Sequence, residues 1–377
     1  MRKIILAPDS FKGTMSSQEI CDILAQEIKR VWPQAQVVSL PVADGGEGSV
    51  DAFLAAVGGE KVAVPCKGPH WEDIHGFYGL LPDGTAVVEM AAAAGLPLVG
   101  QRLRPDQTTT YGVGQLVRAA VCGGARRLVV GLGGSATNDG GAGMAAALGV
   151  RFFRVDGEPY IPTGGTLDQL ARVDRSGLEP ALASVELTAM CDIDNPLCGP
   201  TGASAVFGPQ KGAGPDMVPV LDRNLGHLAD IMAEDLGRDL RDMPGAGAAG
   251  GLGFGVAAFF GGRLQMGIET VLDVAGFDHL LQGAWLVITG EGCIDGQSLR
   301  GKVVSGVARR AKAADVPTIA MVGDIGEGAG GLYEQGVTGM FSINRVAIPF
   351  SQARTRSRED LRAASADLFR LLARMSR

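Results

Sequence analysis

The 377-residue sequence lacks the cysteine and histidine patterns of disulfide-bonded and zinc-binding proteins. Its six cysteines, at positions 21, 66, 122, 191, 198 and 293, form no C-x-x-C pair and no disulfide-framework spacing, and its four histidines are scattered. These absences exclude a disulfide-rich secreted scaffold and argue against a zinc site. We therefore expect reduced thiols and a cytoplasmic protein.

The chain also lacks the features that direct proteins to membranes or nucleic acids. The N-terminal MRKIILAPDS has too few apolar residues for a signal peptide, and no apolar run reaches membrane-spanning length. The net charge is −7, and no lysine or arginine cluster offsets it, which argues against a nucleic-acid surface. A small anionic substrate needs only a local positive spot, so a small-molecule ligand is expected.

Neither common phosphate-binding fingerprint is present. The sequence contains no G-x-x-x-x-G-K-[ST], and GLGG at 131–134 lacks the spacing and downstream acidic residue of a dinucleotide-binding fold. Glycine is nevertheless abundant, with 57 residues, roughly twice the average usage. The glycines cluster between apolar and polar runs, as expected if several backbone-lined loops converge on one cleft. Structural turns alone explain part of the excess.

One glycine cluster lies in RRLVVGLGGSATNDGGAGMAAALG, residues 126–149. Leu128–Val130 predicts a buried parallel strand, and Gly140–Leu148 predicts a short helix that Gly149 ends. A strand, a glycine turn and a helix direct free backbone N–H groups toward an anion, usually a phosphate. A tight turn of any α/β protein explains the same pattern.

The polar side chains of this loop indicate which kind of ligand it binds. Ser135, Thr137, Asn138 and Asp139 are all residue types that cap helices. A carboxylate beside a bare phosphate would repel it, whereas a Mg²⁺ ion between them would make the arrangement favourable. Asp139 therefore favours a nucleotide–metal site.

Charged loops follow two predicted N-terminal strands. Residues 3–7 lead to a loop with Asp9 and Lys12, and residues 35–42 lead to a loop with Asp44 and Glu47. Ligands of open α/β sheets bind outside the carboxyl ends of the strands, so these loops are candidate ligand contacts. Turn or capping roles for the aspartates, and a solvated lysine, are the alternative.

Two acidic residues end a predicted strand in the middle of the chain. Asp192 and Asp194 flank Ile193 after the apolar run at 185–189. A carboxylate there can bind Mg²⁺ or take a proton from an attacking hydroxyl, whereas an Asx turn would need only one of the two. Further along, Lys211 lies on a Gly-Pro loop that suits a phosphate or a carboxylate.

A second glycine cluster occupies residues 244–253 and leads into an apolar helix predicted at 254–260. A backbone cradle for phosphate is one interpretation of this cluster. Close packing of helices through small residues would produce the same composition, and the sequence leaves both open.

The order of predicted elements indicates an α/β protein with two domains. Both chain ends alternate strands and helices, whereas short alternating strands begin near residue 60. We predict a doubly wound parallel-sheet domain from residues 1–65 and 283–377, with an inserted mixed α/β domain at 66–282. The ligand is expected between them.

Seven motifs resemble the class I bacterial glycerate kinases over essentially the whole chain. They are APDSFK at 7–12, PVADGGEG at 41–48, GLGGSATNDGG at 131–141, CDIDNPL at 191–197, FGPQKG at 207–212, PGAGAAGGLG at 244–253, and TGEG with Asp295, Gln297-Ser298 and Gly301-Lys302 at 289–302. Cys293 stands where relatives often have arginine, so it receives no role.

The resemblance implies a flavodoxin-like first domain and ATP- and Mg²⁺-dependent phosphorylation of D-glycerate, with 2-phosphoglycerate as the product. On this hypothesis the phosphates contact Gly133, Gly134, Ser135, Thr137, Asn138, Gly245, Gly247, Gly250 and Gly251. Asp192, with Asp139 or Asp194, binds Mg²⁺ or acts as the base. Lys12 and Lys211 neutralise the glycerate carboxylate and the transferring phosphoryl group. Glycerate or the metal is contacted by Asp9, Ser10, Asp44, Glu47, Glu291, Asp295 and Lys302.

Two other functions fit the same residues. One is a kinase for another small hydroxy acid, such as tartronate or a sugar acid. The other is a non-catalytic glycerate or nucleotide sensor, against which the many acidic loop residues argue, because binding an anion does not require them. The sequence leaves open the choice of hydroxyl, the adenine pocket and the oligomeric state, for which a homodimer is one alternative.

Overall fold

A computed structural model describes residues 2–42, 48–299 and 301–375, which form a mixed α/β protein with parallel sheets. The strands are β1 Lys3–Pro8, β2 Gln36–Ser39, β3 Glu60–Lys67, β4 Asp73–Leu80, β5 Thr85–Glu89, β6 Arg127–Gly131, β7 Arg151–Arg154, β8 Pro159–Tyr160, β9 Leu170–Asp174, β10 Glu186–Met190, β11 Arg263–Gln265, β12 Ala284–Gly290, β13 Cys293–Ile294, β14 Thr318–Val322, β15 Asp324–Ile325 and β16 Val337–Ser342. The α-helices are α1 Ser17–Val31, α2 Ser49–Val57, α3 Ala91–Ala94, α4 Leu96–Val99, α5 Tyr111–Cys122, α6 Ala142–Ala147, α7 Ala203–Phe207, α8 Met217–Leu236, α9 Ala248–Phe260, α10 Gly267–Val274, α11 Phe277–Leu281, α12 Val303–Ala313, α13 Phe350–Ala353 and α14 Ser357–Met375. In the described part of the chain, none of these helices has the length and apolar character needed to span a bilayer.

The chain divides into two compact units. We call residues 1–44 with 268–377 the terminal unit, and residues 45–267 the middle unit. The predicted boundaries at 65 and 283 differ from this division. Residues 48–65 lie in the middle unit because β3 pairs there with β4 along its whole length. Residues 268–282 lie in the terminal unit, where Glu269 of α10 forms a 2.7 Å ion pair with Arg310 of α12.

The terminal unit contains a five-stranded parallel sheet in the order β16-β14-β12-β1-β2. Its central strands are almost continuously apolar, because helices cover both faces of a parallel sheet of this kind. Ile4 and Leu6 of β1 share a core with α1 and α14, and a second core joins Ala320 and Val322 of β14 to α12. The carboxyl ends of the five strands therefore share one edge of the sheet.

The middle unit contains a six-stranded sheet in the order β11-β10-β6-β5-β4-β3. Strands β5, β6, β10 and β11 are parallel, whereas β3, β4 and β5 form an antiparallel meander, which confirms the short alternating strands expected after residue 60. Its core joins Val88 and Val130 to Leu116 of α5 and to Leu252 of α9. A separate three-stranded sheet has the order β8-β7-β9.

Candidate active site

In the terminal unit, the loops after β1 and β12 bring two acidic side chains to one position. Pro8 of β1 pairs with Gly290 of β12, so Asp9 and Glu291 follow adjacent parallel strands at the same edge. The strand order reverses here, because the chain continues from β1 to β2 on one side and from β12 to β14 on the other. Ligands of open parallel sheets bind at such a reversal, so this edge is a candidate substrate site.

Glu291 is the buried carboxylate of this edge. Its side chain is 7% exposed, and its Oε1 atom has no hydrogen-bond partner among the described residues. Lys302 Nζ lies 3.9 Å from Oε2, and the buried Ser298 hydroxyl lies near the carboxylate. Burial raises the pKa of Glu291, with smaller contributions in the same direction from Asp9 and Asp295, whereas Ser298 and Lys302 oppose the rise.

The two neighbouring aspartates stabilise turns at this edge. Asp9 Oδ1 accepts a hydrogen bond from the backbone N–H of Ser10 at 2.6 Å. Asp295 Oδ1 accepts one from the backbone N–H of Gln297 at 2.8 Å. The structure therefore brings both aspartates and Ser10 to the edge where the sequence predicts substrate contacts, and it adds a local structural role for each carboxylate.

Two lysines supply positive charge near the same edge. Lys302 is the residue before α12, and its side chain is 45% exposed. Lys12 is exposed in the loop after β1, and the backbone of this loop lies against Gly292. Asp44 and Glu47, the other predicted substrate contacts, lie outside the described residues.

In the middle unit, a glycine loop joins β6 to α6, as the sequence predicts. Strand β6 ends at Gly131, and α6 begins at Ala142. Gly134 has a φ of 75° and Gly141 a φ of 78°, which are values that favour glycine, and Gly149 follows α6 with a φ of 99°. The predicted strand, turn and helix are therefore confirmed, with a shorter helix.

The N-terminus of α6 is occupied by side chains of the protein itself. Asp139 accepts hydrogen bonds from the backbone N–H groups of Thr110, Gly141 and Gly143 and from the Thr110 hydroxyl, at 2.8–3.2 Å. Thr110 Oγ1 also accepts one from Met144 N at 2.8 Å. Asp139 is fully buried, and this burial raises its pKa. Since both carboxylate oxygens already have donors, the structure gives Asp139 a structural role in place of the predicted metal contact.

The groups available for a phosphate lie earlier in the loop. Gly134 is exposed and Gly133 is half-buried, and in the described part of the chain neither backbone N–H has an acceptor. Ser135, Thr137 and Asn138 are buried. Thr137 Oγ1 and Asn138 Oδ1 have no partner among the described residues, so this segment keeps unused hydrogen-bonding capacity.

The second glycine cluster packs behind the first. Gly245, Gly247, Gly250 and Gly251 are all buried. A Cβ atom at Gly250 would lie 2.0 Å from the carbonyl oxygen of Thr137, and Gly140 N donates to Gly250 O at 3.0 Å. The geometry favours the close-packing interpretation. These four glycines pack against the first loop and support it, and they do not expose their amides to a ligand.

Lys211 also lies behind the first loop. Its side chain is almost fully buried, and Nζ donates a 2.7 Å hydrogen bond to the carbonyl oxygen of Thr137. Burial lowers the pKa of Lys211 to about 7, and the nearby charge of Asp139 opposes this change. In this conformation Lys211 holds the loop backbone. Its predicted role would require exposure to a substrate, and the side chain is not exposed.

The free energy of unfolding is expected to depend on pH through Lys211. Its folded-state pKa of about 7 lies below the ordinary value of 10.5, so between these pH values the unfolded chain binds more protons than the folded protein. Lys211 should therefore contribute a rise in stability with pH in this window, of at most about 1.4 kcal/mol per pH unit. Lys211→Met should remove this rise, whereas Lys61→Met, at a surface ion pair with Asp51, should keep it. Urea unfolding across the window measures the slopes, and equal slopes for wild type and Lys211→Met would contradict the expectation.

Asp192 and Asp194 follow β10, and both are exposed. Asp192 Oδ1 accepts a 2.7 Å hydrogen bond from the backbone N–H of Gly267, the first residue of α10. Among the described residues, no group of three or more histidine, cysteine, aspartate or glutamate side chains is arranged to hold a metal ion. The middle unit therefore offers a pair of exposed carboxylates, one of which also binds a helix N-terminus.

Two structural carboxylate contacts were missed by the sequence reasoning. Glu89 accepts hydrogen bonds from Gly48 N at 3.2 Å and Val50 N at 2.6 Å, so it caps α2 and not the helix that follows it. The three threonines at 108–110 predict a cap for the helix that follows them. Thr110 makes no side-chain cap on α5 and instead connects Asp139 to α6. The partners lie 29–41 residues apart in the chain, and no local sequence signal reports such pairs.

Comparisons with known proteins give one consistent result. A family model described as "Glycerate kinase family" matches residues 4–373. The glycerate kinase of Bacillus subtilis (strain 168) is 47% identical over 368 residues, which cover 97% of this chain and 96% of that protein. The glycerate 2-kinase of Escherichia coli (strain K12) is 44% identical over 343 residues, 90% of each chain. A crystal structure from Salmonella typhimurium LT2, provisionally assigned as a glycerate kinase 2, is 40% identical and matches all of both chains with a TM-score of 0.87.

Proposed function

The chain belongs to the glycerate kinase family, and we propose that it transfers the γ-phosphoryl group of ATP to a hydroxyl of D-glycerate in a Mg²⁺-dependent reaction. The observation that carries the proposal is the 44% identity to the E. coli glycerate 2-kinase over 90% of each chain. The name of that relative also supports 2-phosphoglycerate as the product.

The terminal unit has groups that suit a small hydroxy acid. We propose that Lys12 and Lys302 bind the glycerate carboxylate, and that Asp9 and Glu291 accept hydrogen bonds from its hydroxyls. Numbered within this unit, the strands have the order 2-1-3-4-5, which supports the proposal of flavodoxin-like topology with the ligand at the β1–β12 reversal. Ser10 and Asp295 lie in the same two loops and are proposed as further contacts.

The middle unit has groups that suit the nucleotide phosphates. We propose that the free amides of Gly133 and Gly134, with Ser135, Thr137 and Asn138, bind the phosphate oxygens. Phosphoryl transfer is accelerated mainly by positioning and by neutralising charge, and amides fixed by a packed backbone provide both. Lys211 and the second glycine cluster act indirectly here, because they hold the carbonyl of Thr137 and the loop behind it.

The residues present also fit a Mg²⁺ ion that is bound together with a nucleotide. Such an ion needs only one or two protein carboxylates, since phosphate oxygens and water complete its octahedral shell. The exposed Asp192 and Asp194 meet this requirement, and we propose that they hold the ion. When bound, Mg²⁺ would neutralise charge on the phosphate oxygens.

A coupled assay of ADP formation tests the proposal. With ATP and Mg²⁺, we expect turnover on D-glycerate that exceeds turnover on tartronate and on sugar acids such as gluconate. A preference for another acid of this panel would change the proposed substrate and would leave the proposed kinase activity standing. Binding of D-glycerate or ATP without ADP formation on any acid would indicate a sensor and contradict the proposal.

A further inference from the structure

We propose that Glu291 is the catalytic residue that takes the proton from the reacting hydroxyl of glycerate. This inference rests on the proposed kinase function and assigns the base to the terminal unit. The sequence had favoured Asp192 for the role.

The two oxygens of Glu291 have different surroundings. Oε1 is buried and has no hydrogen-bond partner among the described residues. Oε2 lies 3.9 Å from Lys302 Nζ, and the fully buried Ser298 hydroxyl lies near the carboxylate. A buried acceptor without a donor has lost its hydration and gained no hydrogen bond in return, which is unfavourable. Glu291 thus has one oxygen paired with a lysine and one that lacks the donor a substrate hydroxyl would supply.

The position of Glu291 also suits contact with a substrate. It is the first residue after β12, beside the first residue after β1, at the reversal of strand order where ligands of such sheets bind. The other acidic candidates are less suited. Asp9 and Asp295 each accept a backbone hydrogen bond within their own turn, and Asp192 is exposed and accepts one from Gly267.

The charges around Glu291 favour proton uptake. Burial has the largest effect and raises the pKa of Glu291, and the carboxylates of Asp9 and Asp295 add to it. Ser298 and Lys302 act in the opposite direction. A proton acceptor is more effective when its pKa is raised toward the working pH, which is the direction in which burial shifts the pKa of Glu291.

Phosphoryl transfer exchanges one bond at the γ-phosphorus of ATP for another and releases one proton from glycerate. The hydroxyl oxygen of glycerate forms a bond to the γ-phosphorus of ATP, and the bond from the γ-phosphorus to the β,γ-bridging oxygen breaks, which releases ADP. The O–H bond of the hydroxyl breaks as the new bond forms, and its proton moves to Oε1 of Glu291. The proton passes to water when the phosphorylated product leaves.

The test is Glu291→Gln, which keeps the shape of the side chain and removes its ability to accept a proton as a base. We expect kcat to fall by about 10²–10⁴-fold. KM for D-glycerate should change by less than threefold, because the amide oxygen can still accept a hydrogen bond. Glu27→Gln is the matched control: Glu27 is a buried carboxylate of the same unit, 2.7 Å from Arg30 on α1, and this change should leave kcat unaltered.

The outcomes separate this inference from the proposed function. If Glu291→Gln folds and its kcat stays within tenfold of the wild-type value, the role of Glu291 is overturned. A raised KM with unchanged kcat also overturns it. Neither result contradicts the proposed kinase function. Absence of wild-type activity on every hydroxy acid overturns the proposed function itself. If thermal melting shows that Glu291→Gln does not fold, the pH profile of wild-type kcat decides. If kcat falls at acidic pH with a single pKa above the ordinary value of 4.5, the result supports Glu291 as the proton acceptor. If kcat does not change at acidic pH, the role of Glu291 is overturned.

Discussion

Replacing Asp139 by alanine is expected to lower the free energy of unfolding by about 3–5 kcal/mol, because removing one partner of a buried ionic or charge-assisted contact leaves the other partners unsatisfied. Asp139 is fully buried and accepts four hydrogen bonds, from the backbone of Thr110, Gly141 and Gly143 and from the Thr110 hydroxyl. Alanine would leave all four donors without an acceptor. The start of α6 and its connection to α5 should loosen together.

Chemical denaturation of wild type and Asp139→Ala measures this loss. Asp230→Ala is the control in the same unit, because Asp230 is exposed and forms a surface ion pair with Arg241, which also binds Asp239. The control should cost no more than about 1 kcal/mol. Equal losses for the two variants would show that Asp139 does not organise the glycine loop.

Replacing Gly250 by alanine is expected to cost about 2–5 kcal/mol, from left-handed backbone strain together with overpacking. The φ of Gly250 is 68°, and the new Cβ atom would lie 2.0 Å from the carbonyl oxygen of Thr137. The clash is with backbone, so the first glycine loop must move. If this loop binds the nucleotide, KM for ATP should rise at least tenfold in the folded variant.

The matched control for Gly250 lies at the end of the same helix. Gly261 has a φ of 66°, and a Cβ atom built there meets nothing within 4 Å. Gly261→Ala should therefore lower the free energy of unfolding only by the left-handed backbone strain, about 1–2 kcal/mol. The KM for ATP should not change. A similar stability loss for both variants would mean that the contact between the two glycine clusters contributes little.

Local features of the fold could be predicted from the sequence. The sequence SSQE at 16–19 predicts a capping box. The box forms, with Glu19 N donating to Ser16 Oγ and Ser16 N donating to Glu19 Oε2, and α1 starts at Ser17. The sequence also predicts a terminal helix at 357–375, and α14 spans Ser357–Met375. Each of these signals depends on residues within one or two turns of one another. The sequence also predicts a helix at 328–335, and this prediction is wrong. The structure has only a short 3₁₀ turn there, Ala329–Leu332, because Gly330 and Gly331 disfavour the longer helix.

Long-range pairings could not be predicted, and they decide most of the site. The sequence predicts that the start of α6 offers amides to an anion, but Thr110 and Asp139 already occupy it. It predicts an exposed role for Lys211, which the structure buries against Thr137. The buried environment of Glu291 depends on Ser298 and on a neighbouring strand from the other end of the chain. Strand order and register bring these groups together, and neither is encoded in a local motif.

Phosphorus NMR of a reaction containing the protein, ATP, Mg²⁺ and D-glycerate tests the central claim most directly. The expected result is loss of the γ-phosphate resonance of ATP, with equal growth of ADP and of one phosphomonoester that coincides with added 2-phosphoglycerate. A phosphomonoester that coincides with 3-phosphoglycerate would contradict the proposed product. An ATP spectrum that stays unchanged over many hours at high protein concentration would contradict the proposed activity.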